Sequence, residues 1–196
     1  MASADVTRVV EMLRRGSVVA VATDTVFGLV CDPNNQKAVN QIFKLKGRNT
    51  SKPLQVLAAD MNVARQLVDL PEHAERLVKE WPGPLTLVAH ARARSAMGVG
   101  MPASTTERAK LGVRVPQGGT IQQLLHKFGP LAATSANPSS QKPAITRAQV
   151  RQYFSTEQVP IIIGDDNEVT VMAASRVVDV TRLPHLTLRR ARATRS

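Results

Sequence analysis

Three short stretches of this chain carry polar side chains at spacings that can do chemistry. "FKLKGRNTSKPL" (43–54) sets Lys44, Lys46, Arg48 and Lys52 among apolar residues. In an extended segment residues two apart point the same way, so Lys46 and Arg48 aim at one spot. Such a pair suits a triphosphate, with Arg as a planar fork, Lys as a point charge and Lys52 as a third cation. "ATSANPSS" (133–140) alternates Ser135, Asn137 and Ser139, which can share one face and hold nucleotide phosphates or a metal-bound phosphate. "ATDTVFGLVCD" (22–32) places Thr23, Asp24 and Thr25 directly after an apolar run. Hydroxyls there bind a small polar ligand or cap the chain locally, and Gly28 meets a backbone need. Taken singly, each stretch also reads as a solvated charge run or a hydroxyl-rich turn.

The elements that must position these residues follow from periodicity. Helical spacing runs over 4–15, closed by Gly16, and again over 35–46, 62–80 with a break near Pro71, 118–128, and 146–154 with a Thr N-cap. Short apolar runs read as strands at 17–23, 53–59, 81–90 after a Pro/Gly turn, 111–116 and 129–140, where the strand runs into a small-residue turn. "VPIIIG", "SRVVDVT" and "LTLRR" add three more, and 92–110 reads as a long surface loop. Alternating helices and strands, with a strand-rich final third, predict an α/β fold with a twisted mixed sheet flanked by helices. The three polar stretches fall at strand ends, where open α/β sheets bind ligands.

Length and composition bound the rest. At 196 residues the chain suits one domain, 1–196, with a basic tail over 191–196. A net charge of +11 and a pI near 10.8 attract polyanions. Six arginines against one acid, Asp179, lie from Arg176 onward. Aromatics at 3% argue against recognition by base stacking. One cysteine, Cys31, forms no internal disulfide, and no apolar run reaches the ~18 residues of a membrane span. With no signal-peptide pattern, the expectation is a cytoplasmic protein with no membrane partner. No Walker loop, no G-x-S-x-G elbow and no metal spacing among the four histidines is found. "MGVGMPA" (97–103) lacks the third glycine of a dinucleotide fingerprint.

In order, "ATDTVFGLV", "KGRNTSKPL", "WPGPLTLV", "LGVRVP", "ATSANPSS", "ASRVVDV" and "LTLRR" resemble the blocks of the YrdC-like family of threonylcarbamoyl-AMP synthases. The likeness runs from about residue 17 to residue 190. It implies the YrdC-like α/β twist with an open, concave, basic face. It implies that Lys46 and Arg48 are catalytic and hold ATP phosphates, with Lys52, Asn137 and Arg189 on the nucleotide. Thr25, Arg114, Ser135 and Ser175 match threonine-side positions, Arg114 through the amino acid's carboxylate.

The family reaction joins L-threonine, bicarbonate and ATP with release of pyrophosphate. The resemblance therefore implies ATP as substrate, Mg²⁺ as companion ion and no protein ligand set for a metal. It also implies tRNA contact through the basic face and threonylcarbamoyl-transferring proteins downstream. The chain departs from the family at Asn49, Ser140, Arg176 and Ala191, and at Val21 and Ala22 beside the threonine pocket. Leu57 stands where some members with an extra domain have His. Two rivals stand beside this reading: a non-catalytic RNA or tRNA binder of the same fold, and a carbamoyl-transferring enzyme, whose zinc-finger cysteines this chain lacks.

Overall fold

Side chains that alternate along each strand decide how this chain stacks. The computed structural model describes residues 2–47, 53–92 and 109–190, and ten strands there form one sheet. In chain order they are β1 (Val19–Val21), β2 (Gly28–Cys31), β3 (Gln55–Leu57), β4 (Val68–Asp69), β5 (Leu85–Ala91), β6 (Lys110–Arg114), β7 (Leu131–Ser135), β8 (Ile162–Ile163), β9 (Arg176–Asp179) and β10 (Leu186–Arg189). Their spatial order is β10-β9-β5-β6-β3-β7-β2-β1-β8, with β4 on β5 off that path. The pairs β1/β8, β3/β6 and β5/β9 are parallel and the others antiparallel, which is the mixed sheet expected.

The helices are α1 (Ala2–Arg14), α2 (Gln36–Lys46), α3 (Met61–Leu67), α4 (Glu75–Val78), α5 (Gly119–Phe128) and α6 (Arg147–Tyr153). Val19, Val21, Val30, Leu131 and Ala133 bury against Leu13 of α1 and Leu124 of α5. Their strand neighbours Ala20, Leu29 and Ala132 bury against Val39 and Ile42 of α2 on the other face. Continuous apolar runs such as 17–23 thus mark strands covered on both sides.

Local chemistry ends the helices where the sequence indicates. Asn35 and Thr146 cap α2 and α6 by accepting from the N–H of Ala38 (3.1 Å) and Gln149 (3.2 Å). Gly16 (φ 86°) follows α1, and Gly47 (φ 55°) closes α2 with its N–H on Lys44 O. Three expectations change. Residues 28–31 are a strand, β2, whose four residues are all buried and therefore show no alternation. The 62–80 stretch breaks earlier than Pro71, into α3, the two-residue β4, a 3₁₀ turn and α4. The extended geometry assumed at Lys46 is absent, because α2 continues through that residue. Of the loop predicted over 92–110, residues 93–108 lie outside the described residues, as does the tail 191–196, and Lys110 opens β6.

One face of the sheet is only partly covered. On β5, β6 and β9, the residues on the α1/α5 side are Thr86 and Val88, Gly112 and Arg114, Val177 and Asp179. These line a cavity, while Leu87, Val113 and Val178 between them join the core.

Candidate active site

The cavity measures about 970 Å³ and opens on that uncovered half of the sheet. All seven described residues of the predicted site line it: Thr25, Lys46, Arg114, Ser135, Asn137, Ser175 and Arg189. Arg48 and Lys52 lie outside the described residues, as does Asn49. Gly28 also lines it, where a Cβ would come to 3.4 Å from Thr134 O.

One wall is a chain of hydroxyls headed by an arginine. Arg114 ends β6 at 2% exposure. Its Nη1 donates to Thr25 Oγ1 (2.7 Å), its Nε to Gly83 O (2.9 Å) and its Nη2 to Asp24 Oδ1 (2.5 Å). Thr23 Oγ1 donates its one proton to Val26 O (2.6 Å). Thr25 must then be the donor in the 2.9 Å contact between the two threonine hydroxyls. The order Arg114 → Thr25 → Thr23 → Val26 O is therefore fixed. Burial pushes the Arg114 guanidinium toward losing its charge, and Asp24 opposes this by Coulomb attraction and a hydrogen bond.

A second wall is the 135–139 turn. Lys46, 3% exposed, sends its ammonium to Ser135 O (2.7 Å), Asn137 O (2.7 Å) and Asn137 Oδ1 (3.3 Å). Lys46 O accepts from Ser139 N (2.8 Å), so one residue grips the turn at two points. Strand β7 stops at Ser135, and Asn137 N bonds back to Ser135 O (3.0 Å), so the expected alternation of 135, 137 and 139 does not continue. All three nonetheless line the cavity. Lys44 is exposed on the far side of α2.

The third wall repeats the first with different residues. Arg189 of β10 sends Nη2 to Ser175 Oγ (3.1 Å) and Nε to Ser175 O (2.9 Å). Thr86 Oγ1 donates to Gln55 Oε1 (2.7 Å), which makes Ser175 the donor in its 2.9 Å contact with Thr86. The order is Arg189 → Ser175 → Thr86 → Gln55. Beside it, Lys110 Nζ lies 3.3 Å from Asp179 Oδ2. Burial alone would raise the Asp179 carboxyl. Hydrogen bonds from Thr181 and the nearby Lys110 outweigh it and hold the carboxyl below its usual range.

The sequence reading missed Asp24, Gln55, Thr86, Lys110 and Asp179 as members of these networks. A signal existed for two of them: Asp24 sits inside "TDT" and Thr86 inside "WPGPLT". The other three needed strand register, which pairs Gln55 with Gly112, and Val88 with both Gly112 and Asp179. Leu57 is buried and lines the cavity. Among the described residues no group of three or more His, Cys, Asp or Glu side chains is placed to hold a metal ion.

Residues 11–191 match the model of the Sua5/YciO/YrdC family, whose description reads "Telomere recombination". The chain is 41% identical over 155 residues to the threonylcarbamoyl-AMP synthase of Halorhodospira halophila, covering 78% of each. It is 36% identical over 166 residues to the Vibrio vulnificus protein of the same name, covering 82% of this chain and 87% of that one. The P. abyssi Sua5 structure, complexed with L-threonine, superposes with a TM-score of 0.83 at 30% identity. That match covers 95% of this chain, which spans 54% of the Sua5 chain.

Proposed function

The chain belongs to the Sua5/YciO/YrdC family, and from that premise and the three walls of its cavity we propose that it is an ATP-dependent threonylcarbamoyl-AMP synthase. It joins L-threonine, bicarbonate and ATP and releases pyrophosphate, the first step of tRNA N6-threonylcarbamoyladenosine modification. The observation that carries this is the gathering of Thr25, Lys46, Arg114, Ser135, Asn137, Ser175 and Arg189 around one cavity. Its 970 Å³ stands near the top of the ~300–1,000 Å³ common for ligand sites, which suits two substrates together.

Arg114 takes the threonine carboxylate. Its bonds to Gly83, Thr25 and Asp24 use three N–H groups of a guanidinium that carries five, and the other two serve the substrate. Thr25, held by Arg114 and Thr23, keeps a lone pair for the amino acid. Lys46 and Arg48 set positive charge over the phosphates, with Lys52, Asn137 and Arg189 on the nucleotide and Ser135 and Ser175 on the threonine side. Lys46 already donates to three oxygens of the 135–137 turn, so a phosphate oxygen would replace one of them.

Bicarbonate takes up a proton and loses water to give CO₂, and the neutral threonine amine adds to its carbon and gives up a proton, so that amine and bicarbonate become carbamate and water. The carbamate oxygen then forms a bond to the α-phosphorus as the bond to the β-phosphate oxygen breaks. No protein nucleophile is required. Catalysis consists of placement and of charge over the leaving pyrophosphate. Mg²⁺ would ride on the phosphates and neutralise them there, as this ion commonly does. The chain fits that arrangement, since Asp179, a carboxylate at the cavity, is already held by Thr181 and Lys110.

The net charge of +11 supports direct tRNA contact, and the product passes to a protein that transfers the threonylcarbamoyl group to tRNA. No helix among the described residues is long and apolar enough to cross a membrane. Cys31 is buried, and burial and nearby Asp32 push its thiol up to about 12, an inert thiol that suits a cytoplasmic setting. Lys46→Ala and Arg48→Ala should each abolish threonine-dependent pyrophosphate release while circular dichroism stays unchanged. Normal turnover by both variants sinks the assignment.

A further inference from the structure

Asp24 is the one member of "TDT" that does not line the substrate cavity. Residues 24–26 form a bend closed by Thr23 Oγ1, which accepts from Thr25 N (3.2 Å) and Val26 N (3.3 Å); Thr23 and Thr25 line the cavity and Asp24 does not. It is nonetheless buried, and its backbone is clamped: Asp24 O accepts from Thr170 N (3.1 Å) and Val171 N (2.9 Å). Its Oδ1 holds Arg114 Nη2 at 2.5 Å, and its Oδ2 is buried without a hydrogen-bond partner. Asp24 instead lines a separate pocket of about 240 Å³ with Gln117, Gly118, Glu168 and Thr170. A residue placed there has no route to the reacting atoms. Its reach into the site runs through Arg114.

Three acceptors fix the Arg114 plane, one on each nitrogen. Gly83 O and Thr25 Oγ1 are neutral, and Asp24 carries the charge. A buried guanidinium without a counter-ion is costly and moves toward water when it can. We propose that Asp24 is a positioning residue for substrate recognition, holding the Arg114 fork inward so that its remaining N–H groups meet the threonine carboxylate. This rests on the synthase reading above. The ammonium or amine of threonine never meets Asp24, which separates this role from that of a general base.

The test uses the full chain, varying threonine and ATP separately in Asp24→Asn. The amide keeps the shape and one acceptor oxygen but not the charge. The threonine KM should rise about 10- to 100-fold, while the ATP KM stays within about twofold. A merely structural role would move both constants together. An unchanged threonine KM, or a parallel rise in both, overturns the proposal. If Asp24→Asn does not fold, Asp24→Asn with Arg114→Met decides: recovery of the fold shows that the Arg114 charge is what needs Asp24, and failure to recover overturns it. NMR of the Arg114 Nε–H reads the positioning without turnover. Slow exchange in wild type should be lost in Asp24→Asn, and equal protection in both overturns the proposal. A wild-type protein without threonine-dependent turnover fails the synthase reading instead, and leaves this NMR comparison decisive for Asp24.

Discussion

Two arginine-headed hydroxyl chains face one cavity, and they differ in where they stand. Arg114 → Thr25 → Thr23 runs from the end of β6 to the bend between β1 and β2, with every member buried and Asp24 behind it. Arg189 → Ser175 → Thr86 begins on β10, an exposed strand at the end of the sheet, and becomes buried only at Ser175 and Thr86. The first is set before a ligand arrives, because a buried charge pair and fixed proton directions leave few alternatives. The second has its head on an exposed edge strand, held by two hydrogen bonds to Ser175. A small, constant group such as a carboxylate suits the first, and a large nucleotide that enters from solvent suits the second.

The largest expected effect breaks the buried chain. Arg114→Met leaves Asp24 as an unpaired buried carboxylate, and stability should fall by about 3–5 kcal/mol in urea unfolding. Threonine-dependent kcat/KM should fall by about 100-fold or more in the fraction that folds. The matching change on the exposed chain, Arg189→Ala, should alter stability by no more than about 0.5 kcal/mol and raise the ATP KM about tenfold. Equal destabilisation by the two would erase the distinction drawn between them. Ser175→Ala sharpens it further. This serine stands between Arg189 and Thr86, so its loss should cost about 1 kcal/mol and raise the KM values for both substrates. An effect on ATP alone would move Ser175 to the nucleotide side.

The smallest effect concerns pH. The Asp179 carboxyl is held below its ordinary range in the folded protein, so it binds its proton less readily there than in the unfolded chain. Its contribution is fully present above the unfolded carboxylate value and is lost as pH falls through the lower folded value. Asp179→Asn should therefore lower stability near neutrality, where that contribution is present, and converge with wild type at low pH, so that the acid side of its stability profile is flatter. A change confined to alkaline pH would contradict this.

How much of this was legible in the sequence differs between the two chains. "TDTVFG", "VRVP" and "TSAN" announce themselves because small polar residues interrupt apolar runs, and no core needs them there. The strand from 17 to 23 and the caps at Gly16 and Thr146 were readable for the same local reasons. Gln55 and Asp179 were not, since each matters through strand pairing and not through its neighbours in sequence. Lys46 was found for its charge, yet its geometry was misread, because it is the last residue of α2 and not part of an extended segment, and its side chain reaches the 135–137 turn. β2 was passed over because it is only four residues long and directly follows the polar bend at 24–26, too short a run to show a period of its own.

The most direct test of the account is product identity. The protein would be incubated with ATP, L-threonine and ¹⁴C-bicarbonate, and labelled adenylate separated and weighed by mass spectrometry. The account predicts labelled threonylcarbamoyl-AMP in equal amount to pyrophosphate, and none when any one substrate is omitted. Pyrophosphate release that ignores threonine, or tight tRNA binding with no labelled adenylate at all, would contradict it.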